Sequence, residues 1–600
     1  MKNKIKNDKL SFIAGVMIMG LTLGSCESYL DKAPEATITE KDVFGNFTSF
    51  QGWVEEMYNC IQDYSKTIGG NFFWNFNMAD EVLSNAPIFF DDGNYWNTNG
   101  FLTGGSANTN LNPMTKRVWP LSWYGIRKAN MGLAKLDLLN GTQEEKDIIK
   151  GQCLFFRAWF HFELSRFWGG LPYIDTVMTS TGELKIPRLN YRETALKATK
   201  DFEAAAALLP VKWDDTEVGK VTLGNNQQRI TKIHALSFMA KALLYAASPM
   251  MNEESTGNNS FDAELCKQAA TVFAEVIKIC NETGAYKLQP WATWTDNFWV
   301  WSPGNTLRSG GTEVIMNPTV YIPGFTRWCT NRTSNPVQFA AGNSRVEVPT
   351  QNYIKNYGMA NGLPIDDPLS GYNPKDPWVN REPRFYKDII VDGDQIVTST
   401  GAGLDRFAQL YNGGRHKGGN SGSVTGYLYK KWTPMGCNPW DNKWWNFQAY
   451  NPFMRLADVY LMYAEAVLQG YGTPQGSAPG SITAEQALNV IRNRAQLPNL
   501  DSKFTGSKQA FMEELIRERA VELAFEGHRF FDLRRWNLWQ ETKYKEKTAI
   551  DFDRDPITKK PINIMERVVV TRVADKKHNW LPFQVSYTKQ YKEFPQNPGW

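Results

Sequence analysis

The sequence predicts a mainly α-helical fold, a tetratricopeptide-like superhelix of stacked helix pairs with long irregular loops and minor β elements. Wherever the chain shows a pattern, apolar residues recur every three or four positions, which is the spacing of one helix face. These helical segments come in pairs with short joins, as in helix–turn–helix repeats. No 34-residue repeat is visible, so the prediction depends on the helix pairs themselves.

The composition is that of an ordinary globular protein with an excess of aromatic residues. The 600 residues are 42% hydrophobic and 21% charged, which excludes a disordered chain and a small disulfide-stapled scaffold. Lys and Arg number 66 against 62 Asp and Glu, so the net charge of +4 gives no concentrated field, and we expect no nucleic-acid partner. The 22 Trp, 24 Tyr and 34 Phe residues make up 13% of the chain. This excess favours recognition of a flat ligand.

The N-terminus has the features of a secretion signal. Four lysines precede an uncharged apolar run over residues 12–23, which is shorter than the roughly 20 residues of a membrane-spanning helix. The run ends in Leu23-Gly24-Ser25-Cys26, which resembles the lipobox of bacterial lipoproteins, whose cysteine becomes the acylated first residue. We therefore predict a signal peptide at 1–25, lipidation of Cys26, a tether at 26–40 and one helical domain at 41–600. An ordinary signal peptide with a chance cysteine is the alternative.

Nine segments carry the helical pattern, and most of them end at glycine or proline. The predicted helices are 147–167, 231–247, 453–467, 483–497 and 507–525, with further helices at about 43–65, 116–139, 190–209 and 261–282. Cys266 and Cys280 fall on one of these helices, about 21 Å apart, so they cannot form a disulfide with each other.

Three loop-rich insertions, at about 67–115, 284–345 and 366–450, contain many of the tryptophans. Loops of that length in a compact chain are usually functional. An aromatic ring matches the CH-rich face of a sugar, while Asn, Asp, Gln or Arg side chains can reach the hydroxyls. The insertions therefore predict a sugar-binding surface.

Common catalytic motifs are absent from the sequence. We find no G-x-S-x-G, H-E-x-x-H, Walker or G-x-G-x-x-G motif, and the five histidines are isolated, so we expect no metal site and no cofactor. Asp551-x-Asp553-x-Asp555 begins like a calcium loop but lacks its glycine and its final glutamate. Only carboxylate pairs remain as candidate acid–base groups: Asp80-Glu81, Asp91-Asp92 and Asp366-Asp367. Solvated acidic loops are the more common explanation for such pairs.

Several longer motifs in the chain are specific. Two belong to the C-terminal half: Arg455-Leu456-Ala457-Asp458-Val459-Tyr460, and the run from Arg517 through Gly527 to Trp536. The others are Phe155-Phe156-Arg157-Ala158-Trp159-Phe160 with Gly169-Gly170-Leu171-Pro172, residues 349–362, Asn380-Arg381-Glu382-Pro383-Arg384-Phe385, and the ending Gln596-Asn597-Pro598-Gly599-Trp600. Together these motifs closely resemble signatures of the SusD/RagB family and occur in family order. The resemblance spans nearly the whole mature chain.

The resemblance implies a surface lipoprotein of the outer membrane, without catalytic residues, that binds nutrient oligosaccharides and acts as a lid on a TonB-dependent, SusC-like transporter. A peptide-binding import lipoprotein and a secreted glycan-cleaving enzyme are the alternatives. The charged motif residues have spacings that predict a satisfied structural network: Arg517, Glu518, Arg519, Glu522, Glu526, Arg529 and Asp532. For ligand contact we predict loop residues instead: Trp96, Trp294, Trp299 and Trp328, with Tyr95, Asn97 and Arg327 in supporting roles.

Overall fold

The computed structural model of the protein describes residues 39–62, 78–84, 90–96, 118–179, 181–182, 185–301, 312–318, 347–418, 422–433, 435–436, 438, 440–441, 447–449 and 451–600. The predicted signal peptide, Cys26 and nearly all of the tether lie outside these residues. So do three predicted ligand contacts, Asn97, Arg327 and Trp328.

Helices dominate the described residues. In chain order they are α1 (Glu40–Phe44), α2 (Phe47–Asn59), α3 (Val118–Ala134), α4 (Gln143–Trp168), α5 (Tyr191–Leu208), α6 (Glu217–Lys220), α7 (Lys232–Ala247), α8 (Pro249–Thr256), α9 (Ala263–Thr283), α10 (Gln351–Ile354), α11 (Pro383–Asp388), α12 (Leu456–Tyr471), α13 (Ala484–Arg494), α14 (Ser502–Thr505), α15 (Lys508–Glu522), α16 (Arg529–Arg535), α17 (Thr542–Lys545) and α18 (Val585–Thr588). Eight of the nine predicted helices are confirmed, with ends that move by a few residues.

Two boundaries differ from the sequence prediction for physical reasons. The segment predicted at 43–65 is two helices, because α1 ends at Gly45 and Asn46 then caps α2 by accepting from the Ser49 amide. Helix α12 begins at Leu456 rather than 453, because Met454 and Arg455 form a strand. The predicted capping box of α13 is confirmed, since the Gln486 amide donates to Thr483 Oγ1 and the Thr483 amide donates to Gln486 Oε1.

The main helices pack in chain order, each against the next, in the series α2, α3, α4, α5, α7, α9, α12 and α13, with α15 against α12. We call these nine helices the helical scaffold. Some contacts are very close: a Cβ on Gly125 of α3 would lie 2.2 Å from the Phe160 ring of α4. Helix α9 packs directly on α12, so residues 284–455 are inserted in the sequence between two neighbouring helices, and we call the described residues of this range the insert.

The strands form antiparallel pairs, most of them short. They are β1 (Val82–Ser84) with β4 (Glu347–Pro349), β2 (Trp299–Trp301) with β7 (Phe447–Ala449), β3 (Val314–Met316) with β8 (Met454–Arg455), β5 (Ile389–Ile390) with β6 (Leu428–Tyr429), and β9 (Glu546–Arg554) with β10 (Pro561–Thr571). The β9–β10 hairpin contains Asp551 and Asp553, which bind Arg567 and Asn563. The sequence analysis did not predict this hairpin.

The buried apolar residues form two main cores. The larger one lies between the scaffold helices. The second joins β1, the insert, the C-terminal end of α15 and β9, with Trp294, Tyr353, Phe385, Phe525 and Phe552 among its members. The insert is therefore packed on its own apolar core rather than laid loosely over the helices.

A buried ionic network connects the insert to the scaffold. The Arg455 guanidinium lies 2.6 Å from Glu313, 2.8 Å from Glu522 and 2.8 Å from Glu526, and these four side chains are fully buried. Although burial raises the pKa of the Glu522 carboxyl, the guanidiniums of Arg494 and Arg455 hold it well below its ordinary value.

The charged motif residues predicted to be structural are ion-paired in this region, which confirms that prediction. Their partners are Glu514 for Arg517, Arg384 for Glu518, Asp458 and Asp532 for Arg519, Arg455 for Glu522, Lys431 and Arg455 for Glu526, and Asp80 for Arg529. Cys153, Cys266 and Cys280 are buried free thiols, and the buried Cys60 thiol donates to the Glu56 carbonyl at 3.3 Å.

Candidate functional site

Trp96 presents a large aromatic side chain to solvent. It is 43% exposed, and its ring is held edge-on by Trp600, with 5.6 Å between the ring centroids and 82° between the ring planes. Because the contact is at the edge of one ring, Trp600 supports Trp96 without stacking parallel to it. This geometry suits contact with the apolar face of a sugar ring.

The short segment 90–96 that carries Trp96 is fixed against the C-terminal part of the chain. The Asp91 carboxylate lies 2.7 Å from Lys547 Nζ and 3.0 Å from Arg572 Nε, and the Val573 amide donates to the Asp91 carbonyl at 2.8 Å. Gly93 has φ = +70°, and a Cβ at that position would lie 2.9 Å from Val573 Cγ1. The turn therefore requires glycine.

Tyr95 does not share the exposure of its neighbour. It is 1% exposed, with its ring 5.1 Å from Phe90, 4.8 Å from His578 and 5.9 Å from Trp600. The structure corrects its predicted supporting contact with ligand, because the rings of Phe90, His578 and Trp600 cover Tyr95.

The environment of Trp600 is cationic. Lys577 Nζ lies 4.9 Å from the centroid of the Trp600 ring. Arg534 is buried and donates to the His578 carbonyl; burial lowers its pKa to about 10, with the Tyr95 hydroxyl opposing that shift. The Arg534 guanidinium therefore keeps its positive charge at neutral pH.

A second group of tryptophans lies in the insert. Trp291, Trp299 and Trp301 are half-buried, and the Trp299 and Trp301 rings are 5.9 Å apart at 67°. Trp299 Nε1 donates to the Lys431 carbonyl at 3.0 Å, which fixes its orientation. Trp299 and Trp301 form an aromatic pair on β2, and Trp291 lies in the turn that precedes it.

Trp294 is a core residue rather than a surface ring. It is 0% exposed, 4.9 Å from Phe298 and 5.5 Å from Trp291, with Lys431 Nζ 5.0 Å from its ring. Its predicted ligand contact is corrected accordingly, since a ring covered by the second core has no free face. Sequence position in a loop-rich segment did not distinguish it from Trp299.

Among the predicted contacts in the described ranges, the structure brings Tyr95 and Trp96 together in one group with Trp600, and Trp294 and Trp299 together in another. The sequence analysis did not choose Trp600 or Trp301 as contacts. A period-two signal was available for Trp301, because side chains two positions apart on a strand share a face with Trp299.

Four of the six carboxylates considered as acid–base groups are engaged structurally. Asp80 binds Arg529 with two contacts of 3.0 and 3.1 Å, Asp91 binds Lys547 and Arg572, and Asp367 binds Lys503. Glu81 is buried and accepts from the Phe525 amide at 2.8 Å, and burial raises its pKa to about 8. In the part of the chain that the structure describes, no group of three or more His, Cys, Asp or Glu side chains could hold a metal ion.

Two family models match most of the chain. One, described as "Starch-binding associating with outer membrane", matches residues 28–244, and the other, described as "SusD family", matches residues 313–600. The chain belongs to the SusD/RagB family. This SusD-like protein is thus a member of a glycan-binding family associated with the outer membrane.

Curated relatives include SusD-like protein P2 of Formosa agariphila, which is 22% identical over 90% of this chain and 92% of its own. SusD-like protein P25 of the same organism is 35% identical over 19% of this chain and 21% of its own.

Solved structures share the fold. A SusD-like protein from Bacteroides fragilis has a TM-score of 0.69 at 22% identity, over 95% of this chain and 100% of that one. A SusD-like carbohydrate binding protein from the same organism has a TM-score of 0.63 at 18% identity, over 92% of this chain and 99% of that one. None of the helices in the described ranges combines the length and hydropathy that crossing a bilayer requires.

Proposed function

We propose that the protein captures oligosaccharides at the cell surface and passes them to a SusC-like TonB-dependent transporter, while acyl chains on Cys26 anchor it to the outer membrane. The observation that carries the proposal is the exposed ring of Trp96, which the Trp600 ring contacts at its edge, in a helical protein of a glycan-binding family. Trp299 and Trp301 would extend the contact for a longer chain.

A non-catalytic role fits the state of the acidic side chains. Hydrolysis of a glycoside needs two carboxyl groups facing the scissile bond. Asp80, Asp91 and Glu81 are instead buried, the first two against Arg or Lys and the third against a backbone amide. These groups stabilise the fold and are closed to substrate.

The binding role is tested with a chain that begins at Glu27 and a panel of purified oligosaccharides, measured by titration calorimetry. For the preferred oligosaccharide, Trp96→Ala should weaken binding by about 1 to 3 kcal/mol, roughly 5-fold to 140-fold, because a stacking face is lost. Trp96→Phe keeps a flat ring and should retain part of the affinity. Phe407→Ala is the matched control, because Phe407 is an aromatic residue as exposed as Trp96, at 44% against 43%, and was not predicted to contact ligand.

Three results would contradict this function. If Trp96→Ala and the parent protein bind the oligosaccharide equally, the ring is not a contact. Binding of peptides but not of glycans would support the peptide-import alternative. Release of new reducing ends from a polysaccharide would identify an enzyme.

The anchor is tested separately by membrane fractionation. Cys26→Ala should give a folded protein that no longer sediments with membranes, because each buried CH₂ of an acyl chain contributes about 0.8 kcal/mol. Cys26→Ala that still sediments would contradict lipid anchoring. In mild detergent the parent should co-purify with a large outer-membrane barrel, and recovery as a free monomer would contradict the transporter partnership.

A further inference from the structure

A large groove lies on the helical scaffold, apart from both tryptophan groups. Its volume is about 1040 Å³, and α5, α7, α9 and the loop 478–482 form its walls. Ligand pockets usually occupy about 300–1,000 Å³. The groove is therefore large enough for several residues of a polypeptide.

The apolar side chains in the groove are aliphatic. Leu236 and Met239 come from α7, Val272 and Ile277 from α9, and Ile482 from the loop. No aromatic ring occurs among the described residues that line it, so the groove lacks the stacking faces that favour sugars. Its apolar surface fits aliphatic side chains.

The polar side chains give the groove a negative charge. Glu203, Glu275 and Glu282 line it together with one cation, Lys278. Lys278 Nζ lies 3.5 Å from Glu275, whereas Glu203 and Glu282 have no ion-pair partner among the described residues. The two unpaired carboxylates favour a cationic partner.

The loop wall is held in place from behind. The Ala478 amide donates to Tyr463 Oη at 3.2 Å, Tyr463 Oη donates to the Ile482 carbonyl, and the Ser481 amide donates to the Ala478 carbonyl at 3.1 Å. Gly480 has φ = +70° and nothing within 4 Å of a Cβ built on it, so its peptide faces open space. A preformed wall lowers the entropy cost of binding.

We propose that this groove binds an extended polypeptide segment of another protein, in which Lys or Arg residues alternate with aliphatic residues. The aliphatic side chains would pack on Leu236, Met239 and Val272, and the cations would reach Glu203 and Glu282. This is a protein-docking function separate from glycan capture.

Fluorescence anisotropy with a labelled synthetic heptapeptide of alternating Leu and Lys tests the proposal on the soluble chain from Glu27. We expect saturable binding that weakens as salt rises, because exposed charges are screened. The double variant Glu203→Lys/Glu282→Lys should bind the heptapeptide at least tenfold more weakly than the parent. Glu513→Lys is the control, since Glu513 is also an exposed helical glutamate but lies on α15 outside the groove. The analogue with Glu in place of Lys should not bind.

Equal affinity of the double variant and the parent for the Leu–Lys heptapeptide would overturn the proposal, as would equal binding of the acidic analogue. Displacement of the peptide by an oligosaccharide would assign the groove to glycan instead. Thermal unfolding and oligosaccharide titration of the double variant should match the parent, because Glu203 and Glu282 are exposed and distant in sequence from Trp96. These two measurements separate loss of the groove from loss of fold or of glycan binding.

Discussion

The helical scaffold and the insert are built by different kinds of contact. In α4, every residue from Gly151 to Trp168 is buried, and the helix begins with a capping box at Thr142. Strands of the insert are two or three residues long, and β1 and β3 find their partners far along the chain, at Glu347–Pro349 and Met454–Arg455. Helices of the scaffold follow from local pattern, whereas the insert depends on long-range pairing.

The tryptophans of the two regions show the same difference. Trp159 and Trp168 are buried, as expected for residues on a helix packed on several sides. In the insert, Trp294 is buried and Trp299 is half-buried, although only five residues separate them. Where the sequence shows no helical period, the exposure of one tryptophan does not predict the exposure of another tryptophan close to it in the chain.

Arg455 joins the two regions, so its removal should have the largest effect. Arg455→Met should lower the free energy of unfolding by about 3–5 kcal/mol, because Glu313 of the insert and Glu522 and Glu526 near the end of α15 would lose a buried counter-ion. Urea unfolding followed by circular dichroism measures the change. Tryptophan fluorescence would show whether the insert separates from the helices first.

Lys267→Met is the matched control for Arg455→Met. Lys267 pairs with Glu264 on the exposed face of α9, and exposed pairs contribute at most about 1 kcal/mol. If Arg455→Met lowers the free energy of unfolding no more than Lys267→Met does, the buried network does not hold the insert to the scaffold.

A smaller effect concerns the pH dependence of stability. The contribution of a residue in the scaffold and that of a residue beside the insert should change in opposite directions with pH. Burial lowers the pKa of His161 in α4 from its ordinary 6.5 to about 3, so its contribution to stability is present above pH 6.5 and is lost as pH falls toward 3. Burial raises the pKa of Glu81, beside the insert, from 4.5 to about 8. Its contribution is present below pH 4.5 and is lost as pH rises toward 8.

Glu81→Gln isolates the second of these effects. Gln keeps an oxygen for the Phe525 amide but does not ionise, so this variant should lose part of the decline in urea midpoint between pH 5 and 8. The loss of stability in acid should remain, because His161 is unchanged. An identical decline from pH 5 to 8 in both proteins would show that Glu81 does not carry a raised pKa.

The amino-acid sequence by itself determined the helices, the helical fold class, the structural role of the charged motifs and the family. Helix periods and caps are local properties, and opposite charges at helical spacing can be identified without a fold. Trp96 was chosen from a local pattern as well, as an aromatic residue in a Gly- and Asn-rich turn, and the structure shows that its ring is exposed.

Only the tertiary structure decided which tryptophans reach the surface and which residues support them. Tyr95 and Trp294 are buried because distant segments cover them, with Trp600 behind the first and Trp432 against Phe298 beside the second. The groove between α5, α7, α9 and the loop 478–482 likewise combines residues that lie between positions 203 and 482 of the chain. The burial of a side chain and the shape of a groove depend on elements that lie far apart in the chain. A local sequence pattern therefore does not predict them.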